Sequence, residues 1–153
     1  HCDKHVVKMI LEYAQLLSTA HRELDGDDFR ADNAGFYKAT HKNHPSSIWV
    51  RKSRSNYRWV HSLLFSVCEQ YTQRYGRVHK TQSSGVVEAL SRCPNHLNIG
   101  YFTAPPQCMP DAYKAVDTVQ AYREYYCGEK MYMAKWSYSE RPKWANSNHE
   151  SVI

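Results

Sequence analysis

The sequence predicts a mainly α fold: a compact single-domain helical bundle with long irregular loops. Three observations predict it. Residues 2–24 and 55–75 each repeat apolar side chains at helical spacing over several turns. No stretch needs the two-residue alternation of a strand. The chain has 153 residues, 42% hydrophobic and 23% charged, ordinary for one soluble domain with a real core. No apolar run approaches 18 residues, so nothing is expected to span a membrane.

The first helix organises the rest. At about 100° per residue, Val6, Ile10, Tyr13, Ala14 and Leu17 fall together on one side. His5, Lys8, Glu12, Gln15 and Thr19 fall nearly opposite. Positions seven apart differ by only about 20°. His5 and Glu12 therefore share one line, two turns apart, with Lys8 between them. An imidazole, a carboxylate and an ammonium are presented together on a rigid element. The same residues also suit a solvated face, with Lys8 and Glu12 as an ordinary pair four apart in the less favourable order.

Residues 25–36, rich in Asp, Asn and Gly, are expected to form a loop. They lack the ligand spacing and closing Glu of a calcium loop. The next segment carries Lys38, His41, Lys42 and His44 before Pro45 and reads as basic and irregular. Ser46 or Ser47 can cap a short turn through Ile48, Trp49 and Val50. The helix over 55–75 directs Tyr57, Val60, Leu64, Val67, Cys68 and Tyr71 inward, and Gly76 stops it. A third, shorter helix is expected over 83–92. Residues 93–110 hold four prolines and a glycine and read as an ordered connector in which Tyr101 and Phe102 seek cover. A last helix is expected over 117–137, with Val119, Tyr122, Tyr126 and Met133 inward. One domain over 1–145 and a frayed tail over 146–153 complete the expectation. The chain opens on His1 and not Met, so residues are expected before it.

The net charge is +5, with nine histidines uncounted. That favours a polyanion partner. Arg51, Lys52, Arg54 and Arg58 crowd one end of the second long helix, and Arg74, Arg77, His79 and Lys80 the other. Between residues 33 and 87 the only acidic side chain is Glu69. Such a segment attracts phosphate and releases counterions on binding. It also reads as a solubilising face. Twelve Tyr, four Trp and four Phe, interleaved with Arg and Lys, suit a surface that meets bases, and equally suit an amphipathic core. The five cysteines are widely spaced, with no CxxC. They read as mostly buried reduced thiols of a cytosolic protein. His41 with His44, or His1 with Cys2 and His5, are metal-capable types without a four-ligand spacing, so no metal is expected.

Two resemblances follow from these strings. DKHVVKMILEYAQLLSTAH, then HPSSIWVRKSRSNYRWV and EQYTQRYGRVHK, resemble a group of short proteins encoded by tailed bacteriophages. Most members have no established function. More distantly, Asp3-Lys4-His5 followed by Glu12 resembles the first helix of the phage pyrimidine-dimer DNA glycosylase (endonuclease V) family. That family carries Asp-x-His and then a catalytic Glu seven residues on. The segment from Tyr122 to Lys130 is similar to its Trp/Tyr-rich end. The family's nucleophile is an N-terminal α-amine about a dozen positions before the Asp, and its Glu is flanked by arginines where this chain has Leu11 and Gln15.

The resemblance implies a DNA glycosylase/AP lyase that cleaves the N-glycosidic bond of a pyrimidine nucleotide, damaged or not, in DNA. It implies a cytoplasmic site of action in the infected host and no cofactor. Glu12 would stabilise the cationic sugar and shuttle protons, and His5 would orient it. Lys8 could supply the amine if burial lowered its pKa. Lys4, Arg51, Lys52, Arg54, Arg58, Arg74, Arg77, His79 and Lys80 would hold DNA or a nucleotide. Two rivals stand beside this: a non-enzymatic nucleic-acid-binding protein, and a phage protein that binds or cleaves a small nucleotide signal in a deep pocket.

Overall fold

Helix α1 spans Asp3–Asp25, where the apolar period put it. Val6, Ile10, Tyr13, Ala14 and Leu17 are all buried. It ends at Gly26, whose left-handed backbone (φ 64°) lets its N–H return to the Arg22 carbonyl at 3.1 Å. The computed structural model describes residues 1–109, 111–114, 117–137 and 139–147. Helix α4, Arg54–Tyr75, is the second long element. Ser53 caps it by accepting the Asn56 N–H at 3.1 Å, and Gly76 (φ 70°) closes it. Its buried face is Tyr57, Val60, Leu64, Val67, Cys68 and Tyr71, as expected, with Asn56 added. α1 and α4 pack on each other and form the spine. Ile10, Leu17 and Leu64 are wholly buried there, each worth roughly 1.5–3 kcal/mol of burial. The described residues contain helices and no strand, so the fold is mainly α.

Four expectations over residues 1–92 need correction. Thr19 is buried and not on the polar face. Its hydroxyl accepts the Thr40 N–H at 3.2 Å, so residues 37–40 lie across the helix. Residues 25–36 are not a plain loop. Asp27 caps a short helix α2, Asp28–Asn33, and the buried Arg22 guanidinium pins it. Third, His44 and not a serine caps α3, Pro45–Val50: its Nδ1 accepts the Ser46 N–H at 3.1 Å. Fourth, the helix expected over 83–92 is two short ones, α5 Lys80–Ser83 and α6 Val86–Ala89. Gly85 between them sits at φ 89°, a conformation no helix interior accepts.

The connector 93–110 is stitched to the start of α4. Arg54 N–H donates to the Asn98 carbonyl (2.9 Å), and Ser55 Oγ to the Gly100 carbonyl (2.8 Å). A Cβ on Gly100 would lie 2.8 Å from the Ser53 Cβ, so only glycine allows this approach. Tyr101 is 93% exposed and not covered; Phe102 is about half so.

After a 3₁₀ turn at Asp111–Tyr113, Asp117 caps α7, Thr118–Tyr125, which runs into a π-helical turn at Tyr126–Lys130. Here the inward residues are Thr118 and Ala121, while Val119 and Tyr122 are exposed. Small residues let α7 lie close to the connector, with Thr118 Oγ1 donating to the Pro105 carbonyl (3.3 Å). The π turn then breaks the 3.6-residue register on which the expectation relied. Helix α8, Lys143–Ser147, takes in the first two residues of the expected tail, and 148–153 lie outside the described residues. Only Cys2 and Cys68 are fully buried; Cys93 and Cys127 are half-buried and Cys108 is exposed. All five are free thiols, and burial pushes the Cys68 thiol up to about 11. Among the described residues no helix is long and apolar enough to cross a membrane.

One buried polar link couples α1 to α4. His21 Nε2 lies 2.9 Å from the Tyr57 hydroxyl and 2.8 Å from the Arg92 carbonyl. Tyr57 donates its own hydrogen to the Leu90 carbonyl at 2.6 Å. Both neighbours of Nε2 are thus acceptors, so Nε2 carries the proton. Burial holds His21 below its ordinary value of 6.5, outweighing the Arg92 carbonyl and Asp25, which pull it up. His5 and His79 are lowered too, chiefly by burial. The unfolded chain therefore binds protons below about 6.5 that the folded chain does not. The contribution of these three histidines to stability is flat above that pH and falls as the pH drops through it. The urea midpoint should be lower at pH 5.5 than at pH 7.5, and His21→Gln should narrow the gap. A midpoint that rises on acidification contradicts this.

Candidate functional site

Two regions carry the candidate residues. On the first, His5 is half-buried beneath the π turn. Its ring meets Tyr126 edge-on at 5.2 Å between centroids, and its Nδ1 lies 2.5 Å from the Tyr126 hydroxyl. That hydroxyl also accepts the Cys2 N–H at 3.2 Å and lies 2.9 Å from Cys2 Sγ. Burial is the main cause lowering His5, with the Lys8 and Lys130 charges adding to it. Burial likewise raises Tyr126 above its ordinary value. The phenol gives its one hydrogen to Cys2 Sγ, so toward the neutral imidazole it acts as an acceptor. His5 Nδ1 then carries the N–H to Tyr126, which leaves Nε2 as the lone-pair end.

Glu12 is close enough for its charge to pull His5 upward and to add to the burial that raises Tyr13. Its side chain is 42% exposed and pairs with Lys8 at 3.4 Å. Lys8 is 64% exposed. The burial that would prepare it as an amine nucleophile is absent, so Lys8 is not made ready for that role. Asp3 is a structural partner: it pairs with Arg74 at 3.2 Å and accepts the Ser137 N–H at 2.7 Å. Tyr126 and Cys2, lying 124 positions apart, were not among the expected site residues; no spacing rule links them.

The basic residues do not form one patch. α4 has 22 residues and, at about 1.5 Å each, separates its two basic ends by roughly 30 Å. At the far end, the Arg74 side chain is only 6% exposed and spent on Asp3, Gln70 and the His1 carbonyl. It is not open to a phosphate. Arg77 donates to the Tyr71 hydroxyl (3.2 Å) and His79 caps α5. Lys80, and Lys4 on α1, are exposed. At the near end, Arg51 donates to the Lys42 carbonyl and Arg54 to the Leu97 carbonyl, whereas Lys52 and Arg58 are exposed.

Beside that near end lies an aromatic cluster that the sequence did not reveal. Trp49, Trp59 and Phe102 meet pairwise at 5.7–5.8 Å between centroids. Trp49 is buried, and Trp59 (41%) and Phe102 (48%) show their rings to solvent. Asn56 fixes the arrangement from below. Its Nδ2 donates to the Trp49 carbonyl (3.0 Å) and Thr103 Oγ1 (3.1 Å), and its Oδ1 accepts the Thr103 N–H (3.1 Å). Among the described residues no three His, Cys, Asp or Glu side chains gather as a metal donor set. Compared with protein-family models, curated proteins and solved structures, the chain matches none of them.

Proposed function

We propose that this protein binds single-stranded nucleic acid on the face built from α3, the first turns of α4 and residues 98–106. One observation carries the reading. Half-exposed Trp59 and Phe102, backed by buried Trp49, stand beside Lys52 and Arg58, exposed cations with no ion pair among the described residues. Aromatic rings stack unpaired bases and nearby cations track the phosphates. The shortage of carboxylates over 33–87 keeps the local field positive. A buried amide network holds the rings in place, so little ordering is left to binding. Fluorescence anisotropy of a labelled oligothymidylate, repeated over a salt series, tests it. Affinity should fall steeply with salt, and a duplex of the same length should bind more weakly. Salt-independent binding, or none, sinks the reading.

A second reading adds chemistry to the binding: glycosidic-bond cleavage of the pyrimidine-dimer glycosylase type. It is favoured by Glu12 lying within electrostatic reach of a neutral, Tyr126-held His5 on the helix that resembles that family. With Lys8 solvated, the attacking amine would come from elsewhere. Nicking of an abasic strand by the full chain, abolished in Glu12→Gln, is the expected result. Equal nicking by both proteins removes Glu12 from the chemistry.

A further inference from the structure

We infer that a cavity at the edge of this face receives one unstacked base, presented by its carbonyl edge, with thymine or uracil preferred over adenine. The inference rests on the nucleic-acid reading above and names what that face selects. The cavity holds about 460 Å³ between α3 and residues 103–106. Ile48, Trp49, Ala104 and Pro106 give it apolar walls. A flat heteroaromatic ring is the part of a nucleic acid that such walls can hold.

The polar side chains on its lining are donors. Lys52, on the lining, has an ammonium and nothing that accepts. Thr103 is less obvious. Its oxygen already accepts the Trp49 Nε1–H at 2.8 Å and the Asn56 Nδ2–H at 3.1 Å. Two donors occupy both lone pairs of a hydroxyl, so Thr103 can only give its own hydrogen. Among the described residues no acceptor takes that hydrogen. Asn56 meets that oxygen with its Nδ2, which is itself a donor. A wall whose hydroxyl is forced to donate, beside a lysine, complements carbonyl oxygens and disfavours an exocyclic amine. Thymine and uracil carry two carbonyls; adenine carries none and presents an amine. The phosphate of the same nucleotide then has Lys52 at the rim and Arg58 beyond it, both solvent-exposed.

The test separates the base from the backbone. Short strands of abasic residues carry a single central thymine, a single central adenine, or no base. Affinity is read by anisotropy at low salt, and Trp fluorescence follows the cavity wall. Wild type is expected to bind the thymine strand about tenfold more tightly than the all-abasic strand, with adenine gaining less. Ala104→Trp fills the cavity with a side chain and alters no charge. In it the thymine-to-abasic ratio should fall to about one. Ile48→Trp, at a side chain already 40% exposed, does the same from the other wall should Ala104→Trp not fold. A thymine gain that survives a filled cavity overturns the inference and leaves the base on Trp59 and Phe102, with the binding function intact. Adenine gaining as much as thymine overturns the carbonyl selection. No wild-type binding to any strand overturns this inference and the function beneath it together.

Discussion

Arg22→Met is expected to destabilise the fold by about 3 kcal/mol and to lower the melting temperature by about 6–12 °C. The Arg22 side chain is 5% exposed. It donates to the Tyr37 carbonyl (2.7 Å), the Phe36 carbonyl (2.9 Å), Asp28 (2.9 Å) and Asp32 (2.7 Å). These bonds are not equal. Asp28 and Asp32 are 77% and 51% exposed and return to water when the guanidinium goes, so losing them costs little. The half-buried carbonyls are left without their donor, and α2 loses what fastens it to α1. Met fills most of the volume, so packing contributes little to the loss. Arg22→Lys should recover less than half, because one ammonium cannot span four acceptors. Thermal denaturation followed by circular dichroism measures both. A Met variant that melts with wild type would show that α2 holds without this hub.

The double variant Arg58→Ala/Trp59→Ala is expected to weaken single-strand binding on the order of a hundredfold at low salt. Removing one stacking ring is worth about 1–3 kcal/mol. Removing one phosphate contact adds to that and should lower the salt slope by about 0.7. Trp59 also touches Trp49 and Phe102, so a stability control is needed. Trp59→Phe supplies it: the ring remains and most of the affinity should return. Arg77→Ala, at the distant end of α4, should cost far less. Equal losses from Arg77→Ala and Arg58→Ala would move the interface along the helix and away from the aromatic cluster.

The acid sensitivity expected from His21, His5 and His79 belongs to the same physics as the site. Each ring is partly withdrawn from water and kept neutral by what packs on it. At His5 the covering group is Tyr126, from the far end of the chain. Any assay of the Glu12 face should therefore be run above about pH 6.5, where that imidazole is neutral in folded and unfolded chains alike.

The long helices were legible because their information is local and periodic. The buried residues of α1 and α4 follow from a 3.6-residue repeat, and Gly26 and Gly76 end them in the left-handed conformation that other residues enter only at a cost. The short elements were not legible. A run of Asp and Asn becomes α2 where Asp27 caps it and a buried arginine of α1 pins its start and the loop that follows.

The sequence by itself determined a mainly α chain, its two-helix spine and the positive segment with its single carboxylate, Glu69. Those depend on side-chain spacing and charge, which survive without a neighbour. Only the tertiary structure decided which cations stay free. It buries Arg74 against Asp3 and leaves Lys52 and Arg58 in water. It also brings Trp49, Trp59 and Phe102 into one cluster through Asn56, and lays Tyr126 on His5. These are contacts between elements up to 124 positions apart, and no local preference encodes them. They arise when packing α1 on α4 fixes where every other segment can satisfy its buried polar groups.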